Sequence, residues 1–496
     1  MDSHYLKEPM FKMGVWALLP ADLGNWHEQD SSHYFKKTFG IYKGTFNIGD
    51  IKNGYQHAYF PVSYINKLHN RISQINKKDY RALSRILKQF YKQRPRTKKA
   101  LDKLTAKNYH ALTDEQLIKM FRANRDLIHR ITIYDQFGWI AEHYWEKLMQ
   151  NILVKKLSLP KTSAEYQRVL FALVKPEEIS TTLEEKRAVL EQAIAVKTKK
   201  RSLPAAAEIL AKKYGWMPVF TYGVPWTAKH YKEELSGTVK QAFAEITREE
   251  YLKLKNYTKM RNKEFNDIVK TYKIEPRDAQ VFVDFGLALD ARNEAEYVVS
   301  YGGYYLLPMY KELARRLKLT ERQLRVLYEG EIVSSLRGQT DAKKIIKERG
   351  DITAMGFDPS MKHFKIFTEK EARYLFKHIE ARLKKETAGV EASGMCASPG
   401  KVTGPARLVP TAEQNHKVKP GDILITYATT VDYLPAMKKA AAFITEAGGL
   451  TCHAAVVARE FGVPCIVSLR DAMKKFKDGQ EIEVNATEGK VKILGR

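Results

Sequence analysis

The stretch TEAGGLTCHAAVVAREFGVPCIV, Thr445 to Val467, sets one histidine between a glycine pair and a run of small apolar residues. Ile444 and Thr445 read as the end of a strand, Gly448 and Gly449 as a tight turn, and the helix as beginning near Thr451, whose hydroxyl can cap it. Ala454, Ala455 and Ala458 let that helix lie close to a sheet, and Gly462 ends it before the next strand. His453 then falls in the first helical turn, where unpaired backbone N–H groups and the helix dipole favour an anion. A neutral imidazole is a competent nucleophile near neutral pH and can take a phosphoryl group on one ring nitrogen if the other is held. Gly448, Gly449 and Thr451 are the positions expected to support that phosphate. A histidine so placed is expected to carry little core packing, and the spacing alone leaves a structural histidine or a general base open as well.

Working outward, ASPGKVTGPARLV, GDILITYATT, AAFITEA, PCIVSL, EIEVNA and KVKILG are short apolar runs between Gly and Pro turns, the pattern of strands. With the amphipathic segments VDYLPAMKKAAA and CHAAVVAREFG, they predict a C-terminal α/β domain over residues 391–496, starting between 388 and 398. The stretch Lys384 to Gly394 mixes charge, glycine and small residues as a hinge should. Residues 1–390 read mainly as helices. Thr113 with Gln116, Thr320 with Gln323, and Thr368 with Glu371 each place a capping residue three positions before a partner that reaches back. The last of these should lead a helix whose buried stripe is Tyr374 or Leu375, Ile379 and Leu383. The Gly-, Pro- and aromatic-rich segment Lys212 to Tyr231 breaks the helical pattern and divides 1–215 from 216–390. Its Tyr214, Trp216, Phe220, Tyr222 and Trp226 are expected to form a structural aromatic cluster, with a substrate pocket as the second reading.

The formal charge of +27 lies almost wholly outside the C-terminal domain, because from residue 391 onward 14 Lys and Arg stand against 11 Asp and Glu. The excess comes in bursts such as Lys92 to Lys103 and Val196 to Arg201, expected to be solvated surface. No zinc-finger, RNP-like or helix-turn-helix spacing turns it into a nucleic-acid motif. Cys396, Cys452 and Cys465 lack metal-ligand spacing and suit a reducing compartment. No apolar run is long enough for a membrane span, so a cytoplasmic protein without metal sites is expected.

Residues from about 393 to 495 closely resemble the swivelling phosphohistidine domain of phosphoenolpyruvate-utilising enzymes, found in phosphoenolpyruvate synthase, pyruvate phosphate dikinase, enzyme I of the sugar phosphotransferase system and rifampin phosphotransferase. The resemblance is carried by Gly448-Gly449-Leu450-Thr451-Cys452-His453-Ala454-Ala455, by Ala458-Arg459-Glu460, and by SPGKVTGPA, GDILIT and DGQEIEVNATEGKVKIL. It implies that His453 becomes phosphorylated. Arg459, roughly 120° round the helix from His453, is expected in a structural ion pair, and Cys452 as a small packing residue. The helical part, notably Ala291 to Ile332, is similar to the region preceding this domain in rifampin phosphotransferase and synthase-like proteins. No ATP-grasp domain is legible before the helices and no phosphoenolpyruvate-binding barrel after the carrier domain. The resemblance therefore implies a phosphotransfer component that binds no cofactor itself, with ATP and magnesium on a separate ATP-grasp partner and a small-molecule acceptor. A regulatory protein with a repurposed domain and a basic nucleic-acid-binding protein are the rival readings.

Overall fold

The computed structural model describes residues 9–16, 29–41, 45–51, 55–106, 108–160, 163–220, 224–241, 245–358, 363–386, 394–450 and 452–494. The helices that position the site are α1 (Gln89–Leu104), α2 (Asp114–Gln150), α3 (Thr181–Lys197), α4 (Ala228–Gln241), α5 (Pro276–Arg316), α6 (Glu369–Glu386) and α7 (His453–Phe461). The strands are β1 (Met10–Trp16), β2 (Thr45–Asp50), β3 (Tyr55–Pro61), β4 (Ile352–Asp358), β5 (His363–Phe367), β6 (Met395–Ser398), β7 (Lys401–Leu408), β8 (Ile423–Thr426), β9 (Ala442–Thr445), β10 (Cys465–Val467), β11 (Glu481–Asn485) and β12 (Lys490–Ile493). The capping boxes at Thr113 and Thr320 are present in both directions. Thr368 and Glu371 exchange the same pair of hydrogen bonds at the start of α6. Of the alternatives on that helix, Leu375 and Ile379 are buried, and Tyr374 is exposed.

α2 and α5, 37 and 41 residues long, lie against each other as the spine of the helical part. α5 is buried at every position from 284 to 300. A helix buried all round belongs to a core, yet this stretch carries Asp284, Asp290, Arg292, Glu294 and Glu296. Charge in such a place needs partners or a purpose. Part of it is structural: Arg94 of α1 pairs with Glu294, and Tyr91 donates to Asp290 at 2.5 Å. Lys98, from the basic burst at 92–103, stands 4.5 Å from the centroid of the Trp216 ring and is largely buried. That burst is therefore partly internal and only partly solvated surface.

The helical reading of residues 1–390 omits one feature. β1, β3, β2, β4 and β5 form an antiparallel five-stranded sheet in that order, covered by α6 through Leu375 and Ile379. Its strands are short, β1, β2 and β4 contain glycine, and they come from segments nearly 300 residues apart, so no local alternation announces them.

The C-terminal unit is a seven-stranded sheet in the order β12-β11-β7-β8-β9-β10-β6. β7, β8, β9 and β10 run parallel, with antiparallel strands on both sides. Every predicted strand is present. All four residues of β8 and of β9 are buried, which explains their continuous apolar sequences. Alternation sorts them between two cores: Ile423, Ile425, Ala442 and Ile444 face Phe476 and Ile482, whereas Leu424 and Phe443 join Ala454 and Ala455 of α7. That second core is shared with the helical part, through Trp226, Tyr231, Leu235 and Tyr297. The expected hinge at 384–394 lies mostly outside the described residues.

A buried charge cluster pins the same contact. Lys438 donates to both oxygens of Glu185 on α3 at 3.0 Å and to Glu234 on α4 at 2.9 Å. Its ammonium also stands 4.4 Å from the centroid of the Trp226 ring. Burial works to lower the Lys438 pKa, but the two carboxylates overcome it and the net direction is upward. Removing the cation would strand the buried Glu185 carboxylate and the half-buried Glu234 carboxylate. Lys438→Met is expected to cost about 3–5 kcal/mol in urea unfolding, with most of the loss recovered by adding Glu185→Gln and Glu234→Gln; a loss under 1 kcal/mol would show that the cluster is solvated.

Candidate functional site

His453 is the first residue of α7, and the loop that delivers it leaves the carboxyl end of β9. The cap differs from expectation. Cys452 occupies the N-cap position, and its Sγ accepts from the Ala455 N–H at 3.4 Å, so this thiol caps the helix as well as packing. Thr451 lies outside the described residues. Burial pushes the Cys452 thiol up to about 11, which makes it a poor nucleophile.

The two glycines are required for different reasons. Gly448 has φ +114°, a conformation that L side chains rarely adopt, and a Cβ there would stand 2.8 Å from Cys452. Gly449 needs no unusual backbone. A Cβ on it would fall 2.1 Å from Oε1 of Glu142 on α2, so a side chain there would have to displace the end of that glutamate, which the helical part sets against the loop. Arg459 braces the same loop from below, donating from Nε to the Ala455 carbonyl at 2.9 Å and from its terminal nitrogen to the Leu450 carbonyl. Its role is structural, as expected, but its hydrogen bonds go to carbonyls and not to an acidic side chain.

The imidazole itself is 1% exposed, against the expectation of little packing. Nδ1 lies 3.1 Å from Oγ1 of Thr429, in the loop after β8, and Nε2 is buried with no hydrogen-bond partner among the described residues. Burial first, and then the Arg292 guanidinium of α5, pull its pKa from 6.5 down to about 3. The ring is therefore neutral at cellular pH.

What faces it was not legible as a site from sequence. Arg292 is fully buried, with its guanidinium 3.2 Å from the centroid of the Trp139 ring and Nε 3.8 Å from Asp135 Oδ1. One turn on, Glu296 is held well above the ordinary carboxylate range by burial and then by Asp135. It also interacts with the Val431 backbone and Asp432, in the loop that carries Thr429. Asp135, Glu142, Arg292 and Glu296 thus come from one seam between α2 and α5 and meet the two loops at the carboxyl ends of β8 and β9. The signal available in sequence was the density of charge in DARNEAE, Asp290 to Glu296, within an otherwise apolar helix.

Of the aromatic segment, Tyr214, Trp216 and Trp226 are buried in the shared core, while Phe220 lines a cavity; Tyr222 lies outside the described residues. No group of three or more His, Cys, Asp or Glu able to hold a metal ion occurs among the described residues, and none of their helices is long and apolar enough to cross a membrane.

Residues 418–489 match the family model described as PEP-utilising enzyme, mobile domain. In this C-terminal region the chain is 43% identical over 114 residues to a probable phosphoenolpyruvate synthase of Archaeoglobus fulgidus, covering 23% of this chain and 15% of that protein. It is 47% identical over 106 residues to phosphoenolpyruvate synthase of Pyrococcus furiosus, covering 21% and 13%. To phosphoenolpyruvate synthase of Escherichia coli it is 43% identical over 86 residues, covering 17% and 11%. The chain spans 15% or less of the length of these relatives, and most of the helical part before the C-terminal unit is not matched by them.

The depressed pKa has a signed consequence. The unfolded ring takes up a proton below 6.5 and the folded one only near 3, so its contribution to stability is full above 6.5 and is lost as pH falls toward 3. Glu460, pushed up to about 7 by burial, acts in the opposite sense between 7 and 4.5. The difference between wild type and His453→Gln isolates the histidine. From pH 7.5 to 5 the wild type is expected to lose about 2 kcal/mol more than the variant in urea unfolding; parallel pH profiles would mean that the ring is solvated.

Proposed function

We propose that the chain is a phosphotransfer component in which His453 Nε2 carries a phosphoryl group between a separate ATP- or phosphoenolpyruvate-dependent donor and a small-molecule acceptor held by the helical part. The observation that supports this most directly is the state of the imidazole, neutral and buried, with one nitrogen on Thr429 and the other without a partner. Nδ1 is the nitrogen that meets the Thr429 hydroxyl and Nε2 has no acceptor among the described residues to receive an N–H, so the proton belongs on Nδ1, donated to Thr429, and the Nε2 lone pair is the nucleophile.

In the loading step that lone pair attacks the donor's phosphorus, a P–N bond forms, and the P–O bond to the leaving group breaks. In the unloading step an acceptor oxygen attacks the same phosphorus, the P–N bond breaks, and the electron pair returns to Nε2. The acceptor's hydroxyl proton passes to a carboxylate of the seam, Asp135 being the one beside Arg292. Arg292 supplies positive charge for the phosphoryl oxygens in transit. Burial and then the neighbouring Asp135 raise the Glu296 pKa, which weakens the charge it sets against the phosphoryl oxygens. Residues 391–496 act as the carrier domain, and contact with the helical part corresponds to the unloading position. The similarity of the C-terminal region to phosphoenolpyruvate synthases agrees with this chemistry.

The test uses the full chain with ATP labelled at its β or γ phosphorus and with labelled phosphoenolpyruvate, alone and with soluble extract of the cells it comes from. ATP alone is expected to leave no label, and extract to add an acid-labile, base-stable label that His453→Gln abolishes while its circular dichroism stays like wild type. Label that persists in His453→Gln, or that is stable to acid, would overturn the assignment.

A further inference from the structure

A cavity of about 360 Å³ lies between α2, α5 and the segment 321–332, and no step above uses it. Its walls are apolar and aromatic at Phe121, Ile128, Phe220 and Leu324. Gly302 and Gly303 keep α5 flat where it passes. Three features say what it is shaped to hold. Asn124 is 2% exposed, and its Nδ2 donates to the Tyr310 hydroxyl at 2.7 Å, yet its Oδ1 has no hydrogen-bond partner among the described residues. A buried acceptor of this kind calls for a donor from a ligand. Arg322 and Arg325 stand on the rim, and Arg322 has no ion-pair partner among the described residues. The deeper Arg125 already pairs with Glu329 at 3.3 Å. Lastly, Glu413 of the C-terminal unit is among the lining residues, so that unit closes one side when it is in contact.

The position matters as much as the lining. Ile128 and Asp135 are seven residues apart on α2, as are Gly303 and Glu296 on α5, so each pair shares a helix face and is separated by about 10 Å at 1.5 Å per residue. The cavity therefore runs along the same seam that ends at Asp135, Arg292 and Glu296, opposite His453. None of Asp135, Arg292, Glu296 or His453 lines the cavity, so a molecule seated in it must extend about 10 Å beyond it along the seam to reach them.

We propose that this cavity seats the phosphoryl acceptor, and that the acceptor is an amphipathic organic anion. Its ring-sized apolar body lies between Phe121 and Phe220, a hydroxyl or N–H donates to Asn124 Oδ1, its anionic group meets Arg322 and Arg325, and its accepting oxygen points along the seam. Its role as acceptor rests on the carrier reading above; its existence as a binding site does not. Contact by the C-terminal unit closes the cavity through Glu413, so swinging away to the donor opens it for exchange.

The probe is 8-anilinonaphthalene-1-sulfonate, an aromatic anion of suitable size, titrated into the folded full chain by fluorescence. One saturable site per chain is expected. Leu307→Trp, which fills the cavity, should abolish it, and the surface pair Arg322→Gln with Arg325→Gln should weaken it about tenfold or more. Binding unchanged by the arginine pair, or equal in a folded Leu307→Trp, would overturn the proposal; if Leu307→Trp does not fold, the arginine pair decides alone. Labelling of His453 is scored separately. Label without a probe site removes the cavity and leaves the carrier, whereas a probe site without label removes the carrier and leaves the cavity.

Discussion

Burying an imidazole beside a guanidinium takes away its charge, and that constraint organises much of the molecule. Desolvation first and Arg292 second keep His453 neutral in this dry contact, while Thr429 meets one ring nitrogen and the other is left without a partner among the described residues. The seam is polar inside a helix pair that would otherwise be core, which explains why α5 carries Arg292 and Glu296 through a stretch with no exposed face. The Glu142 carboxylate of the opposing helix lies where a side chain at Gly449 would stand, so the loop and the seam are in close contact there. Shared apolar packing around Tyr231 and Phe443, together with the Lys438 cluster, then holds the two surfaces in register.

Such a contact has consequences for a domain expected to move. A buried and a half-buried carboxylate around one lysine are costly to separate in water-poor surroundings, yet on undocking all three groups regain hydration, so the cluster contributes more to orientation than to affinity. Adding a phosphoryl group to His453 changes the balance, because a dianion would then face Arg292 among Asp135, Glu142 and Glu296. On the proposed reading the loaded carrier visits this position for transfer and the unloaded, neutral one rests in it.

The C-terminal unit was legible almost strand by strand, because its β8 and β9 runs, ILIT and AFIT, are short and apolar up to a closing threonine, and because GGLTCHAA places a turn, a cap and a helix within eight residues. The cap was misassigned by one position since threonine and cysteine are adjacent and both can accept an N–H. The helix starts at Thr113, Thr320 and Thr368 were equally plain, their signals being local. What stayed hidden depends on long-range pairing. The sheet that joins β2 to β4 has no local alternation, and the charge beside the buried His453 comes from Arg292, a residue that reaches it only through the packing of the helical part on the C-terminal unit. The basic burst at 92–103 misled in part, since Arg94 and Lys98 are drawn inward by Glu294 and Trp216.

The central claim is that His453 is a neutral ring with its proton on Nδ1 and a bare Nε2 facing the seam. Histidine-selective nitrogen NMR on the full chain, with His453→Gln to assign the signal, reads tautomer and charge together. The account predicts an Nδ1-protonated neutral ring at pH 7 that remains neutral when the pH is lowered through 6.5 to about 4.5, in keeping with a pKa near 3. A ring that carries its proton on Nε2, or that becomes charged near pH 6.5 while the chain is still folded, would contradict it.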